Sequence, residues 1–467
     1  MNRHWILLLL SVSALKAASA EDLKTVYDQA LIADPTMQQA AALHMASREP
    51  RTQAILNMLP LNGTATKNWT GVAGESTSTP ALANLGLQVN LFSWNNWVAL
   101  KAASSGVALG EANYLAAQQD LIARVAAQYF AVLNAEDVLA AQESALLSFS
   151  RQLDQAERRF EVGLIAVTDV QIARATRDSA AAAVIASKRT LASAEEQLRA
   201  ITGQKYQRLA KPGDGMPLLI PDPASEDTWV STALSQNSNL IASRLSADIF
   251  RDNYLAAIGG HLPTINASAS RSWGLGGKVD PLQQAQLGIN TEDIVWSVGV
   301  SVPLFSAGAT QSRVRQTKYT WNAAQAGYER TLRQTEQQTR DAYQGVISQI
   351  AQVGALKQAV QSNQISLQAI QAGYDVGTKT ALDILTGQLL LVQAQTNYAQ
   401  AKYSYLNNLV ALRQAAGNLD LSTISLINSW LVEQPPAENS TPPAATPPAP
   451  APPAATPANA AATPAAP

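Results

Sequence analysis

Two short stretches of the chain alternate apolar and polar residues with a period of two. Leu85, Leu87, Val89 and Leu91 are separated by Gly86, Gln88 and Asn90; Trp296, Val298, Val300, Val302 and Leu304 are separated by Ser297, Gly299, Ser301 and Pro303. That period puts one set of side chains on each face of a β-strand. Weaker partners, about 61–70 and 264–273, are rich in Thr, Ser, Asn and Ala, and each follows a Leu-Pro step that stops a helix. The pattern predicts two strand hairpins, 61–92 and 264–305. The remainder reads as helix. No proline interrupts Asn95 to Phe160 or Gly308 to Tyr374, so at about 1.5 Å per residue each segment predicts a helix of roughly 100 Å. Leu115, Ile122, Val125, Tyr129, Val132 and Leu139 form a near-heptad stripe in an Ala-rich background that lets helices approach closely. Such length suits a rod or a conduit, and an ordinary coiled-coil rod has the same periodicity.

The pattern occurs twice. The segment Phe160 to Val170 returns 214 residues later as Tyr374 to Ile384, each time between two long helical stretches. The same offset pairs Tyr129 with Tyr343, Leu153 with Leu367, Lys188 with Lys402, Leu198-Arg199 with Leu412-Arg413, and Gly203 with Gly417. Upstream the offset changes from 203 at Leu59-Pro60 and Leu262-Pro263 to 213 at Leu91-Phe92-Ser93 and Leu304-Phe305-Ser306. The second copy therefore carries about ten extra residues in the Gly-rich stretch 274–290, where a surface loop absorbs them. The repeats span 21–203 and 231–417, with turns near Gly163 and Gly377, separated by 204–230 and followed by 418–433.

Alternation alone fits a soluble, half-buried sheet. Aromatic residues shift the balance. Trp69, Phe92, Trp94, Trp97, Trp273, Trp296 and Phe305 crowd the strand ends, as the interfacial girdle of a membrane barrel requires. Four strands cannot close a barrel, since small closed barrels begin at about eight. A four-stranded chain of this kind pools its strands with other copies of itself.

Composition narrows the class. Residues 1–20 have Arg3 near the start, an apolar run from Trp5 to Leu10 and an Ala18-Ser19-Ala20 cleavage site, the plan of a secretory signal. No later segment approaches about 20 uninterrupted apolar residues, so a membrane-spanning helix is not expected. The chain has no cysteine, which excludes disulfides, thiolate metal sites and an acylated cysteine anchor. Charged residues are 15% and the net charge is -2, so no basic face points to nucleic acid. Residues 434–467 are almost wholly Pro, Ala, Thr, Asn and Ser and read as a disordered tail. After the signal, the histidines are His44 and His261, far apart and without paired carboxylates, a nucleophile motif or metal-ligand spacing. An enzyme is not expected, and no cofactor or metal.

The duplicated strand-hairpin and helix-hairpin plan has several motifs. They are the Val-Gly turn with an aspartate six residues after the glycine (163 to 169, 377 to 383), Pro303-Leu304-Phe305 with Gly308, and the start Leu23, Val26-Tyr27, Ala30, Asp34-Pro35. Together, over about 21–430, these features resemble the TolC-type outer-membrane efflux proteins. The resemblance implies an α+β fold: a homotrimer with four strands per chain, twelve in total, forming an outer-membrane β-barrel continuous with a long periplasmic α-helical barrel. It implies an equatorial belt from 204–230 and about 415–433, and periplasmic tips at Gly163 and Gly377 that dock a periplasmic adaptor (membrane fusion protein) serving an inner-membrane efflux pump or ABC exporter. Carried over by position, the latch residues are Thr168 and Asp169 in the first tip, and Tyr374, Lys379 and Asp383 in the second, with Asp169 accepting from the Tyr374 hydroxyl and pairing with Lys379. Asp383 also supplies a constriction carboxylate.

Two positions depart from the family pattern. Lys379 stands where these proteins typically have Arg, so the two-pronged hydrogen bond is lost and a looser latch follows. Thr386 occupies the place of a second constriction aspartate, leaving one carboxylate ring and a weaker attraction for cations. Helix capping is the competing role for both aspartates, and it weighs more at Asp169 than at Asp383. The competing class is a periplasmic coiled-coil adaptor or structural protein without a pore.

Overall fold

The computed structural model describes residues 20–66, 69–72, 75–78, 81–213, 215–275 and 294–432. The expected signal cleavage segment before Ala20, the Pro/Ala-rich tail, most of the inserted 274–292 loop and parts of the 71–80 loop lie outside the described residues.

The duplication is carried by the helices. Helix α1 (Leu23–Ala33) and α5 (Glu226–Gln236) have 11 residues each, while α2 (Pro35–Leu56) has 22 and α6 (Ser238–Ile258) has 21. The long helices α3 (Trp94–Glu161) and α7 (Ala309–Asp375) have 68 and 67 residues, roughly 100 Å each. Helices α4 (Val167–Thr202) and α8 (Ala381–Ala416) have 36 each. In the first repeat α2 and α4 both pack on α3; in the second α6 and α8 both pack on α7. α6 and α8 also pack on α3, which joins the repeats side by side.

Local chemistry sets the boundaries. Asp34 caps α2 by accepting the Met37 amide at 3.2 Å, with Pro35 in the first turn, and its counterpart Asn237 caps α6 by accepting the Leu240 amide at 3.0 Å. Gly203 and Gly417 close α4 and α8 with φ of +71° and +77°.

The strands that carry the alternation are β1 (Leu61–Thr66), β4 (Ala81–Phe92), β6 (Thr264–Leu275) and β7 (Val295–Ser301), in one antiparallel sheet of order β1-β4-β6-β7. Two sequence boundaries move. The partner strand expected over 61–70 ends at Thr66, and Trp69–Val72 (β2) instead pairs with Glu75–Ser78 (β3) in a separate hairpin beyond the sheet. β7 stops at Ser301, because Pro303 has no amide hydrogen for the ladder.

Register sorts the two faces. Leu61, Leu87, Ala269 and Trp296 stand opposite one another across the four strands, as do Val89, Ala267 and Val298, and this face is apolar. Asn62, Gly86, Ser270 and Val295 make one row of the other face; further along, the Asn84 amide donates to Ser272 Oγ at 2.9 Å and Ser268 meets Ser297 at 2.6 Å. Among the described residues nothing covers the apolar face, and Trp296 is 77% and Val298 72% exposed.

The densest core lies midway along the helices. Leu23, Val26, Tyr129, Phe130, Leu198, Trp229, Tyr405, Leu406, Ile424 and Ile427 form it, with α9 (Leu421–Asn428) packed on α1. Around it, β5 (Lys211–Pro212) pairs with β8 (Leu431–Val432). The Tyr129 hydroxyl spans the Ala210 and Glu21 carbonyls at 2.7 and 3.1 Å. Asp137 ties this belt to the long helices, taking Lys211 at 3.0 Å, Lys402 at 3.1 Å and the Tyr403 hydroxyl at 2.8 Å. Burial pushes the Asp137 carboxyl up, but the two ammonium charges outweigh it and hold the group below the usual carboxylate range.

Candidate functional site: the paired helix turns and the sheet face

At the ends of α3 and α7 far from the sheet, each helix reverses through a glycine in the left-handed region, Gly163 at φ +74° and Gly377 at φ +80°. The Gly163 amide donates to the Phe160 carbonyl at 2.9 Å and the Leu164 amide to Arg159 at 2.8 Å. The Gly377 amide donates to Tyr374 at 3.1 Å and the Thr378 amide to Gly373 at 2.8 Å. Both turns are thus the same Schellman closure. Apolar side chains point outward from them: Val162 is 69% exposed, Leu164 72% and Val376 75%. Solvated turns usually carry polar residues, so these are candidates for contact with another protein.

Beneath the turns the hairpins differ. In the first, Ala156, Val170 and Ala173 form a small core, and Arg174 donates to Glu157 at 2.8 Å. In the second, Gly387 replaces Ala173 at the 214 offset; a Cβ there would stand 3.1 Å from Ile370 Cδ1, so the glycine lets α8 approach α7.

The two aspartates occupy different states. Asp383 belongs to a complete capping box: its amide donates to Thr380 Oγ1 at 3.2 Å, and its carboxylate accepts the Thr380 amide at 2.8 Å. These bonds, with Lys379 nearby, hold its carboxyl below the ordinary value. Ala166 precedes helix α4 in the capping position and gives it no side-chain cap, and among the described residues the Asp169 carboxylate makes no hydrogen bond or ion pair. The balance of capping between the two aspartates is therefore the reverse of the sequence expectation. Ala166 sits where the second copy has Thr380, and alanine has no hydroxyl to take the third amide.

Within one chain no hydrogen bond joins Asp169 to Tyr374, and no ion pair joins Asp169 to Lys379, among the described residues. The Tyr374 ring instead carries the Arg159 guanidinium over its face, 4.5 Å from the centroid. Thr168 and Lys379 are exposed, and the Thr386 hydroxyl is turned back onto the Leu382 carbonyl at 2.8 Å. Sequence reading missed three residues here, Arg159, Gly373 and Thr380. The 214 offset sets Arg159 against Gly373 and Ala166 against Thr380, and those exchanges were the available signal.

The aromatic residues fall into levels along the sheet. Phe92 pairs with Ile265 at the helix end; Trp94 and Trp97 follow at the start of α3, and Phe305 lies just past β7. Trp94 also donates from Nε1 to the Leu255 carbonyl at 2.9 Å. Trp273 stands eight residues further along β6, about 27 Å by strand rise, on the same face as Trp296. Beside it the Arg271 guanidinium lies 5.5 Å from the Trp273 ring, the arrangement of a cation at the rim of an apolar band. Trp69 opens β2, beyond that level. Among the described residues no helix is long and apolar enough to cross a membrane, and no cluster of His, Asp or Glu could hold a metal ion.

The sequence profile of the outer membrane efflux protein family matches residues 26–204 and 229–418, the two repeats. Outer membrane protein TolC of Escherichia coli is 33% identical over 445 residues, covering 91% of this chain and 88% of that protein. The alkaline protease secretion protein AprF of Pseudomonas aeruginosa is 26% identical over 415 residues, covering 86% and 85%. Among solved structures, the Campylobacter jejuni CmeC outer membrane channel superposes with a TM-score of 0.72 at 20% identity, covering 88% of this chain and 89% of that one.

Proposed function

The chain belongs to the outer membrane efflux protein family, and from that premise we propose that it is a passive exit duct, gated at its helix turns, for cargo delivered by an inner-membrane pump. It resides in the outer membrane of a Gram-negative bacterium, with its helices extending into the periplasm. The observation that carries the reading is the four-stranded sheet with one uncovered apolar face, one polar face and aromatic residues at both levels. Its end strands β1 and β7 are the two edges, and with four alternating strands the β7 of one copy runs antiparallel to the β1 of the next. Three copies then close a twelve-stranded barrel without a free edge, with polar side chains lining the lumen.

The long helices continue that barrel inward, and the turns at Gly163 and Gly377 narrow its far end. In the resting state Thr168, Asp169, Tyr374 and Lys379 latch the turns. Asp169, whose carboxylate is unbonded among the described residues, is the open acceptor for such a contact. Charge-assisted hydrogen bonds in water are strong enough to close a pore and weak enough for a docking protein to break. A periplasmic adaptor engages the exposed Val162, Leu164 and Val376, and a pump or ABC exporter supplies the energy. Cargo is whatever the partner delivers, drugs and toxic compounds or secreted proteins. Asp383 sets a single carboxylate ring at the constriction. Transport of this kind needs no chemical step in the channel.

Single-channel recording in planar bilayers tests the reading, with the purified protein beside Asp169→Ala and Tyr374→Phe. Small, stable, cation-selective currents that rise in both variants are expected. Absence of current from a folded, detergent-extracted trimer would return the chain to the rod or adaptor class.

A further inference from the structure

Two repeats meet at the turns, yet among the described residues no hydrogen bond or ion pair joins the first turn to the second. The bonds there stay within each hairpin: Arg174 to Glu157 in the first, and Thr378 to Gly373 and Thr380 to Asp383 in the second. The contact that crosses is Arg159, from the last turn of α3, stacked on the ring of Tyr374, from the last turn of α7. Its position is fixed from behind, because the Arg159 carbonyl accepts the Leu164 amide that closes the first turn. At the equivalent place in the second repeat stands Gly373, where a side chain would crowd its neighbours. A Cβ on Gly373 would stand 2.8 Å from Lys379 Cγ, and the Gly373 carbonyl accepts the Thr378 and Lys379 amides and the Thr378 hydroxyl. One repeat therefore supplies the cation and the other the ring.

We propose that Arg159 is a positioning residue of the gate: its guanidinium holds the Tyr374 ring by its face and so ties the second turn to the first within each chain. The inference rests on the reading of these turns as a gate, and deepens it. A guanidinium over a tyrosine face is attracted by the electron-rich ring and stacks flat, which fixes orientation as well as distance. The Tyr374 hydroxyl makes no hydrogen bond among the described residues and is left for the latch acceptor. Arg159 acts on the face of the ring and the latch on its hydroxyl. Opening one turn then requires either moving both or sliding the ring from under the cation.

The test is a double-mutant cycle read as single-channel conductance, in trimers shown to be folded. Arg159→Gln removes the cation and is expected to raise conductance several-fold, as Tyr374→Phe does. Arg159→Lys keeps a cation over the ring and is expected to restore most of the closure. In a Tyr374→Leu background, which has no ring, Arg159→Gln is expected to add almost nothing; in a Tyr374→Phe background, which keeps the ring, it is expected to add its full effect. A merely structural role for Arg159 would give the same increment in both backgrounds, and that result would overturn the proposal. If Tyr374→Phe opens the channel and Arg159→Gln does not, the gate reading stands and this inference falls. If neither variant changes the current, both fall together.

Discussion

Thr380 and Asp383 hold each other in a reciprocal cap, the Thr380 amide donating to the Asp383 carboxylate at 2.8 Å and the Asp383 amide to Thr380 Oγ1 at 3.2 Å. The pair ties the start of α8 to the second turn, and it makes that helix end sensitive to acid. The Asp383 carboxyl lies below its usual value of 3.8, chiefly through the Thr380 bonds. A depressed carboxylate contributes stability that is present above the unfolded value and lost as pH falls through the folded one. Amide protection over 380–384, corrected for intrinsic exchange, should fall below about pH 4. Asp383→Asn should show the low protection at neutral pH, while the start of α4, which has no such cap, should not respond.

The belt should depend on Asp137. Its carboxylate faces Lys211 and Lys402, both mostly buried; Asp137→Ala strands Lys402 and leaves Lys211 with Glu136 alone, at 3.1 Å. Removing one partner from such a site costs about 2 kcal/mol at this partial exposure. Hydrogen exchange should show β5 and β8 opening earlier, with the turns at Gly163 and Gly377 unchanged. Protection of the wild-type belt should also weaken as pH falls through the depressed Asp137 value, because the contribution is present only above it.

Glycines of similar φ should differ in tolerance. A Cβ on Gly417 would fall on the Gln236 carbonyl and backbone, whereas at Gly163 nothing lies within 4 Å. Gly417→Ala should lower the yield of the proposed trimer severely. Gly163→Ala should cost only the strain of a left-handed alanine, about 1 kcal/mol, and Gly163→Asn less. Detergent-extracted trimer after expression at two temperatures separates the cases.

Charge placed on the two sheet faces should have opposite outcomes. Val298 and Ser297 are neighbours on β7 and face opposite sides. Val298→Arg puts a cation on the apolar face, at a cost of about 2–4 kcal/mol per chain if that face meets lipid. Ser297→Arg points into the proposed lumen and should insert normally. Membrane fractionation and heat-modifiable mobility of the trimer would check the pair; equal behaviour would count against a lipid-facing sheet.

Thr386→Asp should strengthen block by a multivalent cation applied from the periplasmic side, by adding a second carboxylate ring beside the one proposed for Asp383. Lys379→Arg should lower the resting conductance if a forked donor tightens the latch. Titration of current against the blocking ion checks the first, and unblocked current the second.

The sequence made the periodic parts legible. The alternation at Leu85 to Leu91 lies within β4, and the proline-free runs coincide closely with α3 and α7. Both depend on a period that every residue in the run repeats. What escaped depended on single contacts. The capping box needed the hydroxyl of Thr380 to be weighed against the methyl of Ala166, one position in a repeat of more than 180 residues. The belt pairing of Lys211 with Val432 joins segments 221 residues apart, too short to carry any period of its own. The Arg159 stack needed to know that α3 and α7 end side by side, which packing decides.

The two helix hairpins match in length almost residue for residue, but Arg159 faces Gly373 and Ala166 faces Thr380 across the duplication. In the proposed trimer the duct's inner mouth would therefore have two symmetries at once. Its outline repeats six times around the axis, while its charges and caps repeat only three times. A partner recognising backbone shape meets six nearly equal seats, and a partner recognising charge meets three. Ala166→Thr would make the caps alike without altering the outline, and the charge of Arg159 would still tell the two turns apart.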